Sequence, residues 1–218
     1  YFVQGLRAAL ARRGVGVGGP NRSVTDSSVY RAQRAQPWLA QVASRPLSDL
    51  LFPILNSSQN WFAEMLLKLI GRERGPGGSW DGGIAVERAF LRDSVKVDTM
   101  AFSLADGSGL SSSNLISPRA FVQILRYVRR HPSRAGFFKA LPRAGQPGSL
   151  KDRFTGTAID GRVQAKTGSI NHVNSLSGFV QQPSGRNTFI FSIVADNHAA
   201  RYRDALAQID SLVLEISR

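Results

Sequence analysis

RVQAKTGSINHVNSLSGFVQQPSGRNTFIFSIVA, residues 162–195, is the stretch on which the fold turns. Three runs within it, Arg162 to Thr167, Leu176 to Gln182 and Thr188 to Ala195, are rich in the β-branched and aromatic side chains that suit a half-buried pleated surface. The second and third are joined by Pro183-Ser184-Gly185-Arg186, a turn sequence by its proline and glycine. Three short runs in succession predict an antiparallel meander. Beyond it, Tyr202, Leu206, Ile209, Val213 and Ile216 recur at the spacing of one helix face, so the sheet is expected to be covered by an amphipathic closing helix.

Upstream the periodicity turns helical. Phe2, Leu6, Ala9 and Leu10 share a face that stops at Gly14, after which Val15 to Ser28 reads as loop. Trp38 to Ala43 is expected to be a short strand, and Pro46 opens a helix through Leu50 and Leu51 that Pro53 should kink or stop early. Asn56-Ser57-Ser58-Gln59-Asn60 offers several caps to a helix from Trp61 to Ile70, ended by Gly71. Ile84 to Leu91 reads as helix, Ala101 to Leu104 as strand, Asp106-Gly107-Ser108-Gly109 as turn, and Ser117-Pro118 starts a helix closed by His131-Pro132. Helices first, strands last and a final helix make the expected class α+β, an antiparallel sheet flanked by helices.

Composition narrows the chemistry. With 218 residues and 42% hydrophobic content the chain can bury a core, and no apolar run is long enough to cross a membrane as a helix. It begins without Met and without a signal-peptide pattern, which leads us to expect a mature form or an internal fragment. There is no cysteine, which removes disulfides, thiolate metal sites and thiol nucleophiles together. The net charge of +13 rests mostly on arginine, since lysine occurs only at positions 68, 96, 139, 151 and 166. Such an excess fits a polyanionic partner or, equally, the codon bias of a GC-rich genome, and the arginines lack the interleaved aromatics that stack on bases. No specific nucleic acid is expected. No His-Glu-x-x-His or Gly-x-Ser-x-Gly occurs, so neither a metal nor any other cofactor is expected, and His131, His172 and His198 read as surface or turn residues.

Ser-x-Asn carries little weight alone, because it occurs at Ser58, Ser112 and Ser169. Lys166-Thr167-Gly168 occurs once. Ser-x-Asn followed by Lys-Thr-Gly belongs to the signature of β-lactamases and penicillin-binding proteins. Around these motifs stand Pro46-Leu47-Ser48-Asp49-Leu50-Leu51, Ala63-Glu64, Asp106-Gly107-Ser108-Gly109-Leu110-Ser111, Leu141-Pro142-x-Ala144-Gly145 and Leu176-Ser177-Gly178. Over nearly its whole length the chain resembles the class C low-molecular-mass penicillin-binding proteins, the D-alanyl-D-alanine carboxypeptidase and endopeptidase family. The resemblance implies a partial penicillin-binding, β-lactamase-like transpeptidase fold. It also implies a serine-type, penicillin-sensitive carboxypeptidase or endopeptidase working through an acyl-serine, located in the periplasm or otherwise outside the cytoplasm at the cell wall. The implied partners are peptidoglycan stem peptides, with β-lactams as covalent inhibitors of the complete enzyme.

One departure matters: no serine here has a lysine three residues on. In this family that motif precedes the present segment, beyond inserted domains. The resemblance therefore implies that residues 1–218 are the second segment of one catalytic domain and inactive alone, with the missing N-terminal segment as their partner. By the same resemblance Ser58 relays a proton to the leaving D-alanine nitrogen, Asn60 binds the acyl-side amide, and Lys166 and Thr167 grip the terminal carboxylate. Gly168 lets substrate approach the strand, and the Ser169 N–H is one oxyanion donor. Ser58 as a plain helix cap remains open beside its relay role, and Asp106 and Ser108 read as structural turn residues. The alternative to an enzyme is a non-catalytic module that binds cell-wall peptides.

Overall fold

The structure, a computed structural model, describes residues 1–34, 36, 37 and 40–218, which divide into two compact units, 1–44 and 45–218. In the first, α1 (Phe2–Arg12) is followed by a loop gathered by the Arg7 guanidinium, which donates to the carbonyls of Val17 and Gly19. A second helix, α2 (Ser27–Arg34), begins where loop was expected. Asp26 accepts hydrogen bonds from the Ser28 N–H and hydroxyl just ahead of it, which also hold its carboxyl below the usual range. Of the strand expected from Trp38 to Ala43, Trp38 and Leu39 lie outside the described residues, and 40–43 form no strand.

The second unit opens with α3 (Leu47–Leu55) and α4 (Asn60–Arg74). Pro53 removes one donor, and α3 ends two residues later. Gly71 does not end α4, which runs on to Arg74. The reason is packing: a Cβ on Gly71 would lie 2.5 Å from the backbone nitrogen of Gly83. The glycine lets α5 (Trp80–Phe90) cross α4 at backbone distance, and α5 is capped by Ser79, whose hydroxyl accepts from the Gly82 N–H. A π-helical turn (Leu91–Val95) and a 3-10 turn (Thr99–Ala101) lead into a small ribbon of β1 (Phe102–Ser103) and β2 (Leu115–Ile116). Then come α6 (Pro118–Arg130), with the Ser117 cap and proline at its first turn, and the short α7 (Arg134–Ala140), which the sequence reading had not distinguished.

The main sheet is the expected meander: β3 (Val163–Ile170), β4 (Val173–Gln181) and β5 (Thr188–Ala195), antiparallel in the order β3-β4-β5. Strict alternation assigns its faces. Val163, Ala165, Leu176, Val180 and Phe191 pack with Ile209 and Val213 of α8 (Tyr202–Ile216), while Phe179 and Ile190 meet Leu125, Phe137 and Leu141 on the α6–α7 side. Helices on both faces of an antiparallel sheet make the fold α+β. The largely buried Arg153 pairs with Asp210, tying the loop before β3 to α8.

Candidate active site

Ser58 lies in the turn between α3 and α4, with φ at 54°. Left-handed backbone is uncommon for a residue with a Cβ and costs of order 1–2 kcal/mol. Gln59, not Ser58, holds the cap position of α4, and no side chain caps that helix. The simple capping explanation of Ser58 is thus not what the structure displays. Its hydroxyl instead meets Lys166, whose Nζ donates to Ser58 Oγ at 2.9 Å across 108 residues of chain and to the Thr167 carbonyl at 2.7 Å. Burial lowers the Lys166 ammonium below the ordinary lysine range. Asn60 is the first residue of α4, with its side chain exposed.

The strand carrying Lys166 is half covered along its outer edge. The Ala144 N–H donates to the Val163 carbonyl and the Ala165 N–H to the Pro142 carbonyl, so Leu141 to Gly145 lines the first part of β3. From Lys166 to Ser169, no backbone group among the described residues pairs with that edge. Lys166 and Gly168 face the α3–α4 side, and Thr167 and Ser169 the opposite face. Gly168 has a reason to be glycine within the chain itself, since a Cβ would stand 2.5 Å from Ser175 Oγ on β4. A hollow of about 540 Å3 opens between α3, α7 and β3, lined by Phe52, Asn56, Phe138 and Gln164, with neither Ser58 nor Lys166 in its wall.

The Asp106–Ser111 loop is held from within and from α4. Asp106 accepts from the N–H groups of Gly109 and Ser111 and from the Asn114 amide. Glu64, on the first turns of α4, accepts from the Gly107 and Ser108 N–H groups and from the Trp80 indole. Burial alone would raise the Glu64 carboxyl, but hydrogen bonding, first from the Ser108 hydroxyl and the Trp80 indole and then from the two N–H groups, holds it below its usual value. Asp106 is therefore a turn residue, as expected, and the loop is fastened to the helix that follows Ser58.

The model of the D-Ala-D-Ala carboxypeptidase 3 (S13) family matches residues 1–215. The chain belongs to this family. A curated relative, a D-alanyl-D-alanine carboxypeptidase of an Actinomadura species, is 38% identical over 191 residues, covering 85% of this chain and 33% of its own. The penicillin-sensitive carboxypeptidase A of Dictyostelium discoideum is 30% identical over 225 residues, 100% of this chain and 42% of that one. Among solved structures, penicillin binding protein 4 (dacB) from Haemophilus influenzae superposes with a TM-score of 0.70 at 26% identity, over 80% of this chain and 40% of that one. This family member thus spans between a third and a half of the length of the relatives it matches, and its fold is that of the penicillin-binding proteins.

Two polar residues next to the motif escaped the sequence reading. Asn174 lies opposite Ser169 across the β3–β4 register and is 3% exposed, and its amide donates to Ser169 Oγ at 2.9 Å. His198 is not a bare surface histidine: its Nε2 lies 3.0 Å from Asn174 Oδ1. The signal for Asn174 was an amide at an inward position of a strand pattern, alternating with Leu176 and Val180. His198 lies beyond β5 and gave no such signal.

Proposed function

We propose that these residues form the proton-relay and carboxylate-binding half of a serine D-alanyl-D-alanine carboxypeptidase site, the second segment of one catalytic domain. The carrying observation is the Lys166–Ser58 hydrogen bond at the open edge of β3. An extended peptide adding to that edge as a further strand would lie with its terminal carboxylate near Lys166 and Thr167, a charge and a directed donor. Ser58 Oγ, accepting from Lys166, has its own proton free to pass to the leaving D-alanine nitrogen. Asn60 holds the acyl-side amide, the Ser169 N–H serves as an oxyanion donor, and Gly168 keeps the strand clear of side chains. Since no serine in the 218 residues has a lysine three positions on, the nucleophile and its base come from outside them, and the segment alone is inactive. Stem peptides of peptidoglycan as substrate, β-lactams as acylating inhibitors and a place outside the cytoplasm go with this reading.

The test is acylation of the full-length protein by a fluorescent penicillin, followed by peptide mapping. The adduct is expected outside the present residues, and Lys166→Ala is expected to slow its formation roughly ten- to a hundred-fold in a folded protein. An adduct on Ser58, or unchanged kinetics in the variant, would overturn the assignment.

A further inference from the structure

The Asn174 partner of Ser169 leads away from the motif into a short chain of hydrogen bonds. Asn174 Oδ1 can only accept, so the His198 Nε2 that faces it at 3.0 Å must carry the proton. The other ring nitrogen, Nδ1, is buried without a hydrogen-bond partner among the described residues. His198 is itself clamped to the β3–β4 turn: its N–H donates to the His172 carbonyl, and its carbonyl accepts from His172 Nδ1 at 3.0 Å. With Oδ1 committed to His198, the amide of Asn174 turns its Nδ2 to Ser169 and donates. Ser169 Oγ therefore accepts from below, and its own proton points away from Asn174. Ser169 is exposed, two residues after Thr167, so both hydroxyls stand on one face of the edge strand.

We propose that Asn174 and His198 are positioning residues that fix the Ser169 hydroxyl as an outward hydrogen-bond donor, and so select a ligand carrying a free carboxylate beside Thr167. This rests on the site proposed above and adds to it a device for telling an acid from its neutral counterpart. A hydroxyl free to rotate can donate or accept and so tolerates an amide. A hydroxyl whose lone pair is already engaged by Asn174 favours an acceptor, and a charged one most.

The experiment uses the full-length protein and two probes, N-acetylated D-alanyl-D-alanine and its C-terminal amide, with their dissociation constants measured by calorimetry. The unaltered protein should prefer the acid, and Lys166→Ala should reduce that preference; no preference in the unaltered protein would refute the site itself. Asn174→Asp presents an acceptor to Ser169, draws the hydroxyl proton inward, and should cut the acid-over-amide ratio about tenfold by weakening the acid alone. Ser169→Ala, at an exposed position, should lower the ratio equally, and adding Asn174→Asp to it should change nothing further. His198→Gln, which retains a side-chain N–H donor, should keep more of the ratio than His198→Ala. An acid preference that survives both Asn174→Asp and Ser169→Ala would overturn the inference while leaving the site standing. Equal weakening of both probes would overturn it too, by showing a structural role only.

Discussion

Ser58 keeps a left-handed backbone at φ 54° in a turn where glycine would sit without strain, and the residue that occupies it is the one that meets Lys166. Strain at such a position persists where the surrounding structure enforces it, and on the site proposed above it is the stability cost of placing the Ser58 hydroxyl against Lys166. Replacing the residue separates the two effects. Ser58→Ala loses the hydroxyl and keeps the strained backbone, whereas Ser58→Gly loses the hydroxyl and relieves it. Relief of about 1–2 kcal/mol, set against about 0.5–1 kcal/mol of added freedom in the unfolded glycine chain, leaves Ser58→Gly the more stable variant by up to about 1.5 kcal/mol. Both should lose about a hundred-fold or more in carboxypeptidase rate in the full-length protein. Chemical denaturation of the pair checks the first point, and an alanine variant as stable as the glycine one would show that the turn is not strained.

The pairing of α4 with α5 is close enough to leave an apolar hollow beside it, lined by Ile54, Leu66, Ile70, Val86 and Phe90, and the Glu87 carboxyl borders that hollow. Burial raises Glu87 above the ordinary carboxylate range. The unfolded chain therefore loses this proton first as pH rises, so the group's stability cost develops upward from the ordinary carboxylate range and is complete once pH has passed the raised folded value. Glu87→Gln is expected to raise the melting temperature at pH 7 and to have no such effect near pH 3, where both states are protonated. A gain of equal size at both pH values would remove ionisation as its cause. Element by element, the sequence was most legible where a period persisted: β5 and the closing helix stand where the alternation and the helical spacing put them. It was least legible where glycine had two meanings. Gly71 reads as a terminator locally, yet its role is set by Gly83 on another helix, which no local pattern contains. The seven-residue α7 and the two-residue β1 and β2 are too short to show a period at all. At the site, Lys166, Thr167 and Gly168 were legible as a contiguous motif, whereas the engagement of Ser169 by Asn174 and His198 depends on cross-strand register and on a loop beyond β5.

Over the molecule as a whole, the charge of +13 remains unused by any of this chemistry. Binding to a polyanion through dispersed arginines is counterion release without stacking, so any affinity for single-stranded DNA should be weak, indifferent to sequence and largely gone at about 0.2 M salt. Tight binding that persisted at that ionic strength, measured by fluorescence anisotropy, would assign the charge a specific partner. The Lys166–Ser58 contact has a different kind of consequence, one of time. It closes a loop of 108 residues, while the backbone hydrogen bonds within α4, α5 and α8 each join residues only a few positions apart along the chain. Long loops close late because their entropic cost falls before any reward. In refolding, helical structure should therefore return while the two halves of the site are still apart. On the site proposed above, the Lys166–Ser58 contact is then absent from every partly folded form, and forms only in a molecule whose sheet has already docked.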